Sequence, residues 1–139
     1  MEIDTSTDFG ARAARHLEND RIVWLATVGA DGTPQPSPVW FLWDGNTALI
    51  YSQPATPKLR NIEQRPRVSL HFNCTASGGD VVVLTGDASV DPGAAPANAN
   101  PAYLDKYADS IRNIGMTPVA FGQAYSVPIR IRPTSLRGH

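Results

Sequence analysis

Two cations, two amides and two hydroxyls lie within Ser52-Gln53-Pro54-Ala55-Thr56-Pro57-Lys58-Leu59-Arg60-Asn61-Ile62, which starts at the end of an alternating run, Ala48–Ser52, that reads as a strand. Lys58 to Gln64 reads as one short helix. Thr56 is its candidate N-cap, and Pro57 suits the first helical position because its fixed φ and missing N–H fit there. Lys58, Arg60 and Asn61 then cluster at the end of the helix where free backbone N–H groups already favour an anion. Cations are slightly unfavourable at that end by themselves, and a bound phosphate resolves the mismatch. The competing reading is a short surface helix with solvated charges.

A second stretch, Thr33-Pro34-Gln35-Pro36-Ser37-Pro38-Val39, places proline at every other residue. In an extended chain alternate backbone groups face the same edge. Pro34, Pro36 and Pro38 therefore strip one edge of donors, while the N–H groups of Gln35, Ser37 and Val39 all point the other way. That row of donors suits a neighbouring strand, with the bare edge blocking aggregation. It equally suits the carbonyls and ring nitrogens of a flat heterocycle. The run Val39-Trp40-Phe41-Leu42-Trp43 is apolar on both faces, so both need cover. A small barrel supplies one cover; a subunit partner or a planar ligand is the simplest second.

Other chemistries lack their residues. The three histidines, His16, His71 and His139, show no metal-ligand spacing. There is no GxSxG, no Walker loop, no strand followed by GxGxxG, and no carboxylate pair suited to glycoside hydrolysis. Cys74 is the single cysteine, which rules out an internal disulfide or a cysteine metal cluster and reads as a spectator thiol in a reducing compartment. Any chemistry then belongs to a cofactor, with the protein supplying orientation and electrostatics.

The elements that must position these residues follow from periodicity and turn signals. Thr7–Glu18 reads as an amphipathic helix and Ile22–Val28 as a strand. Asp31-Gly32 signals a hairpin. A strand from about Gln35 to Trp43 and the Asp44-Gly45-Asn46 turn complete an antiparallel three-stranded meander ending at Ser52. Arg67–Phe72 is the next strand, Ser77-Gly78-Gly79 a turn, and Val81–Val90 a long strand in which Gly86 marks a bulge or bend. Asp91–Asn100 reads as a loop, and Ala102–Ile114 as a helix capped by Asn100 with Pro101 first. Ala124–Arg132 is the last strand. Six strands at short spacing indicate a small antiparallel barrel or sandwich, mainly β with minor α.

The 139 residues suit one domain, 1–139, large enough to fold without staples. With 12 basic against 13 acidic side chains the net charge is -1, which argues against nucleic acid as the partner. A charged fraction of 18% beside 42% hydrophobic residues points to surface covered by a second subunit. The acidic start, Met1-Glu2-Ile3-Asp4, lacks a signal-peptide pattern, and no apolar run is long enough for a bilayer span. A cytoplasmic protein with no membrane partner is the expectation.

In order and spacing, several fragments resemble the split β-barrel flavin and deazaflavin-binding superfamily, the pyridoxamine 5′-phosphate oxidase-like fold. They are Trp24–Val28, Asp31–Phe41, Lys58–Ile62, Arg65–Leu70 and Ile129–Thr134. Within it the chain is similar to small actinobacterial reductases that use the deazaflavin coenzyme F-420. The resemblance implies a six-stranded antiparallel split barrel and a homodimer with cofactors at the subunit interface. It also implies hydride transfer from reduced F-420 to an electron-poor, enone- or quinone-like small molecule. It places Ser52, Lys58 and Asn61 at the phosphate and Arg60 beside them. Thr56 stands where some relatives carry arginine, so a hydroxyl replaces one phosphate contact. Gln35, Pro36, Ser37, Pro38 and Val39 match the strand lining the ring, and Gly78 and Gly79 a turn that approaches the cofactor, from either subunit. No catalytic acid or base is indicated; Tyr51, Tyr125 and Ser126 are hydroxyl candidates. FMN is the alternative cofactor, and a non-catalytic carrier or sensor the alternative role.

Overall fold

A computed structural model describes residues 1–139. In chain order the elements are α1 (Asp8–Asn19), β1 (Val23–Val28), β2 (Pro34–Val39), β3 (Leu42–Trp43), β4 (Ala48–Ser52), α2 (Pro57–Gln64), β5 (Arg67–His71), β6 (Val82–Val90), α3 (Pro101–Asn113), α4 (Pro118–Ala124) and β7 (Val127–Gly138). A single 3-10 turn, Ala97–Ala99, precedes α3.

All seven strands form one antiparallel sheet in the order β2-β1-β5-β6-β7-β4-β3. Its two edges, β2 and β3, are consecutive in the chain and separated only by Trp40 and Phe41. Three peptide links reach at most about 11 Å, so the edges must meet there. The sheet therefore curls into a split barrel, with Val39–Leu42 as its seam.

This geometry corrects two expectations. The expected strand 35–43 breaks at Trp40-Phe41, giving seven strands rather than six. The expected meander keeps both of its hairpins, β1–β2 and β3–β4, but the break between β2 and β3 puts them at opposite edges of the sheet. The alternation of an unbroken strand would put Trp40 and Phe41 on opposite faces, and the crossing achieves that split while turning the chain. Phe41 enters the barrel core, 1% exposed. Trp40 packs outside it against Tyr107 and Phe121.

The C-terminal strand is also corrected: Ala124 ends α4, and β7 runs from Val127 to Gly138. Pro133 lies within this strand, opposite Gly86 at a register shift between Thr85 and Gly86. A bulge tolerates a residue without an N–H. Gly86 is required there, because a Cβ would lie 2.5 Å from the Arg132 carbonyl oxygen.

Two apolar clusters sit on either side of β4, all five of whose residues are buried. Ala48 and Ile50 face the barrel interior with Val23, Leu25, Leu70, Leu84, Ile129 and Ile131. Leu49 and Tyr51 face a second cluster built by α3 and α4: Tyr103, Tyr107, Ile111 and Phe121. The second cover for the doubly apolar segment is thus supplied by the chain itself. α1 plugs one end of the barrel with Ala13 and Leu17, and α2 adds Leu59 and Ile62.

Candidate functional site

The end of β4, the Gln53–Thr56 loop and the start of α2 border an open cavity of about 430 Å³. Its polar end carries Ser52, Gln53, Thr56 and Lys58; its apolar end carries Trp40, Tyr103, Phe121 and Tyr125; Pro38 and Val39 of β2 form a side wall.

Three helices begin with a polar residue followed by proline. Asn100 accepts from the Tyr103 N–H and Thr117 from the Ala120 N–H, each closing its helix start. Thr56 holds the N-cap position of α2, as the sequence indicates, but its side chain makes no capping bond. Its hydroxyl lies 3.2 Å from the Ser52 hydroxyl, which donates to the Gln53 carbonyl at 2.8 Å. Pro57 has no N–H, so the Lys58 and Leu59 N–H groups open the α2 first turn without a side-chain acceptor. The preceding loop is held by strain and a clamp. Ala55 takes φ +60°, a conformation that costs a non-glycine residue about 1 kcal/mol or more, and Arg60 donates to its carbonyl at 3.0 Å.

Lys58 is partly buried on this cavity, and its ammonium has no hydrogen-bond or carboxylate partner within the chain. Burial alone lowers its pKa from 10.5. The other lysine, Lys106, is pushed down to about 8, chiefly by burial, but donates to the Phe41 carbonyl at 2.8 Å. An unpaired cation, two hydroxyls and an uncapped helix start converge on one cavity wall. Together they form a set of donors suited to a phosphate.

The remaining sequence candidates fall into distinct groups. Ser52, Thr56, Lys58, Pro38 and Val39 line the cavity. Asn61 is buried, and its amide N–H groups go to Thr27 Oγ1 at 3.0 Å and Gln35 Oε1 at 2.9 Å. It thereby ties α2 to β1 and β2, with Gln35 as its partner. Arg60 is exposed and turned to its own loop. Ser37 and Pro36 pair with Leu25 and Ala26 of β1. Since β2 has β1 as its one neighbour and the prolines have nothing to donate, the ladder draws on Gln35, Ser37 and Val39. The donor row is therefore directed into the sheet, and the bare edge faces outward. Gly78 and Gly79 sit in the β5–β6 hairpin turn, where Gly79 donates to Thr75, away from the cavity lining. Among the hydroxyl candidates, Tyr51 is engaged with Ala95 and Asn100, Tyr125 lines the cavity, and Ser126 does not.

Sequence reasoning missed the aromatic end. Trp40 stacks on Phe121 at 5.5 Å, Phe121 on Tyr125 at 4.5 Å, and Tyr103 on Phe121 at 6.1 Å between ring centroids. The signal was present in Thr117-Pro118, the same helix-start signature as Thr56-Pro57. His16, bridged to Asp20 and Asp80, and exposed Cys74 lie outside the cavity. No cluster of His, Cys, Asp or Glu suits a metal ion, and no helix is long and apolar enough to cross a membrane.

Solved structures with this fold include one named F420 reductase, 28% identical, covering 87% of this chain and 92% of its own, with a TM-score of 0.66. General stress protein 26 from Bacillus anthracis is 19% identical over 91% of this chain and 89% of its own, with a TM-score of 0.69. The haem storage protein HutZ from Vibrio cholerae is 16% identical over 99% and 94%, with a TM-score of 0.61. The last two likenesses concern the fold alone. No curated protein matches the sequence. The family model described as pyridoxamine 5′-phosphate oxidase matches residues 9–130, from α1 through the barrel to β7, and this chain therefore belongs to that family.

Proposed function

We propose that this protein is an oxidoreductase that binds the deazaflavin coenzyme F-420 and reduces an electron-poor, enone- or quinone-like small molecule. The single observation that carries this reading is Lys58, a partly buried cation without an internal partner at the polar end of a cavity whose other end is aromatic. A phosphate beside Lys58, Ser52, Thr56 and the open α2 start would compensate that charge. A planar ring on the same molecule would lie along Pro38 and Val39 toward the aromatic wall. The likeness to a structure named F420 reductase favours F-420 over FMN, the other phosphate-bearing tricyclic cofactor.

Bound there, the reduced deazaflavin would supply a hydride to an electron-poor carbon. The chain's own contribution is to bind and align. The donors at one end anchor the charged tail, and the apolar walls keep the ring end dry, conditions that favour hydride transfer without a catalytic side chain.

We assign the same site to a homodimer. Ile114, 51% exposed, lines the cavity, and Val119, 56% exposed, lies on α4, the helix that supplies Phe121 to it. The proline-stripped β2 edge discourages edge-to-edge pairing, so a partner would cover the helical face instead. Sedimentation at micromolar concentration tests this, and a monomer refutes it.

Fluorescence titration with F-420 and with FMN tests the cofactor. Anaerobic oxidation of reduced F-420 with a panel of enones and quinones then tests the reaction. Tight FMN binding with no response to F-420 overturns the deazaflavin assignment. Binding without turnover across the panel favours a carrier.

A further inference from the structure

Three tyrosines are buried in the aromatic cluster beside the cavity, and of these three only Tyr103 leaves its hydroxyl without a partner. Tyr51 donates to the Ala95 carbonyl at 2.7 Å and accepts from Asn100 at 3.1 Å. Tyr107 lies 2.8 Å from the Arg21 carbonyl and 3.0 Å from the Phe41 carbonyl, and accepts from the Phe41 N–H at 2.9 Å. Tyr103 is 1% exposed and lines the cavity, yet its hydroxyl has no partner within the protein. No enclosed polar side-chain atom is left unpaired. The Tyr103 hydroxyl is therefore not sealed in, and the small part of this residue that is open faces the cavity.

Around it the wall is aromatic, and the Tyr125 hydroxyl also lies on the cavity. Tyr103 lies edge-on to Tyr51 at 4.8 Å. Trp40, Phe121 and Tyr125 stack in succession with interplanar angles of 14° and 17°. Burial holds the Tyr103 phenol far above the ordinary value, so it remains a protonated donor across the physiological range. A buried donor with no internal partner discriminates sharply. A ligand oxygen placed there satisfies it, whereas a hydrocarbon of the same shape leaves it unpaired.

We propose that Tyr103 is the specificity-determining residue of this cavity, donating a hydrogen bond to a carbonyl oxygen of a planar ligand seated on the Trp40–Phe121–Tyr125 wall. The inference rests on the reading of the cavity as a redox site, and it adds the residue that selects the acceptor.

Duroquinone is a suitable probe because its fully methylated ring resists addition by the exposed Cys74 thiol; durene is the same ring without carbonyls. Duroquinone binding is read by tryptophan quenching, and durene binding by its competition with duroquinone, in wild type, Tyr103→Phe and Lys58→Ala. Tyr103→Phe keeps the ring and loses only an oxygen without a partner. It is expected to weaken duroquinone roughly three- to tenfold and to leave durene unchanged. The carbonyl stretch of bound duroquinone is expected at lower frequency in wild type than in Tyr103→Phe. Equal losses for duroquinone and durene, no loss for either, or an unshifted carbonyl band in wild type would each overturn the assignment. The band needs no variant, so a misfolded Tyr103→Phe does not shield the proposal. If Lys58→Ala leaves coenzyme affinity intact while the Tyr103 effect holds, the cofactor reading fails and the Tyr103 assignment stands.

Discussion

Removing the charge of Lys58 tests the anion site most directly. Lys58→Ala deletes the side chain, and Lys58→Met keeps its apolar stem while removing the ammonium. The ammonium has no partner in the ligand-free chain and is disfavoured by burial. Neither variant breaks an ion pair, so the ligand-free melting temperature is expected to stay level or rise slightly in Lys58→Met. The effect belongs to the complex. A hydrogen bond to a charged group contributes about 1.5–3 kcal/mol, which predicts a ten- to hundredfold loss of F-420 or FMN affinity. At ligand roughly 100 times the wild-type Kd, binding stabilises the fold by about 2.7 kcal/mol; a thirtyfold weaker variant retains about 0.9 kcal/mol. Fluorescence titration gives the Kd, and thermal melts with and without ligand give the second figure. The pH profile adds a sign. Lys58 is charged below its pKa, which lies under 10.5, so wild-type affinity falls as pH climbs through that lowered value. The alkaline limb vanishes in Lys58→Met. A Kd within twofold of wild type, or an alkaline limb unchanged in the variant, would refute the reasoning.

Three further outcomes are expected. Lys58 and Lys106 are the chain's two lysines and both have lowered pKa values; amine labelling followed by mass spectrometry is expected to show FMN or F-420 protecting Lys58 and not Lys106. Equal protection of both would count against the cavity as the binding site. Burial by itself lowers the His16 pKa, but its bonds to Asp20 and Asp80 outweigh that and raise it above 6.5. The stabilisation is therefore full below pH 6.5 and lost as pH rises through the raised value, so His16→Gln is expected to lower the melting temperature more at pH 5.5 than at pH 8.5, and a pH-independent change refutes it. Gly86→Ala drives a Cβ to within 2.5 Å of the Arg132 carbonyl and is expected to destabilise by about 1–3 kcal/mol in denaturant unfolding, without changing coenzyme affinity per folded molecule.

Ser52, Thr56 and Lys58 were legible from one local signature, because a strand end, a loop and a helix start within seven residues can face one space only a few ways. The β barrel class was legible for a related reason: period-two alternation and turn residues are local properties. Asn61 and Arg60 show where locality ends. They sit on the same helix turn as Lys58, yet Asn61 is drawn inward by Thr27 and Gln35, and Arg60 is turned back onto Ala55. Those partners come from separate elements and from a strained loop, which helix spacing does not encode.

What the sequence by itself determined is the set of local signals: two proline-initiated helix starts, a donor-stripped strand, a glycine at a bulge or bend, and a cation beside two hydroxyls. Only the tertiary structure decided what those signals serve. Closure of the sheet at Trp40-Phe41 sent Trp40 outward, and α3 and α4 brought Tyr103, Phe121 and Tyr125 to meet it from 63 to 85 residues away along the chain. Such an assembly depends on which faces remain uncovered after the barrel closes, a non-local packing outcome that no window of the sequence contains.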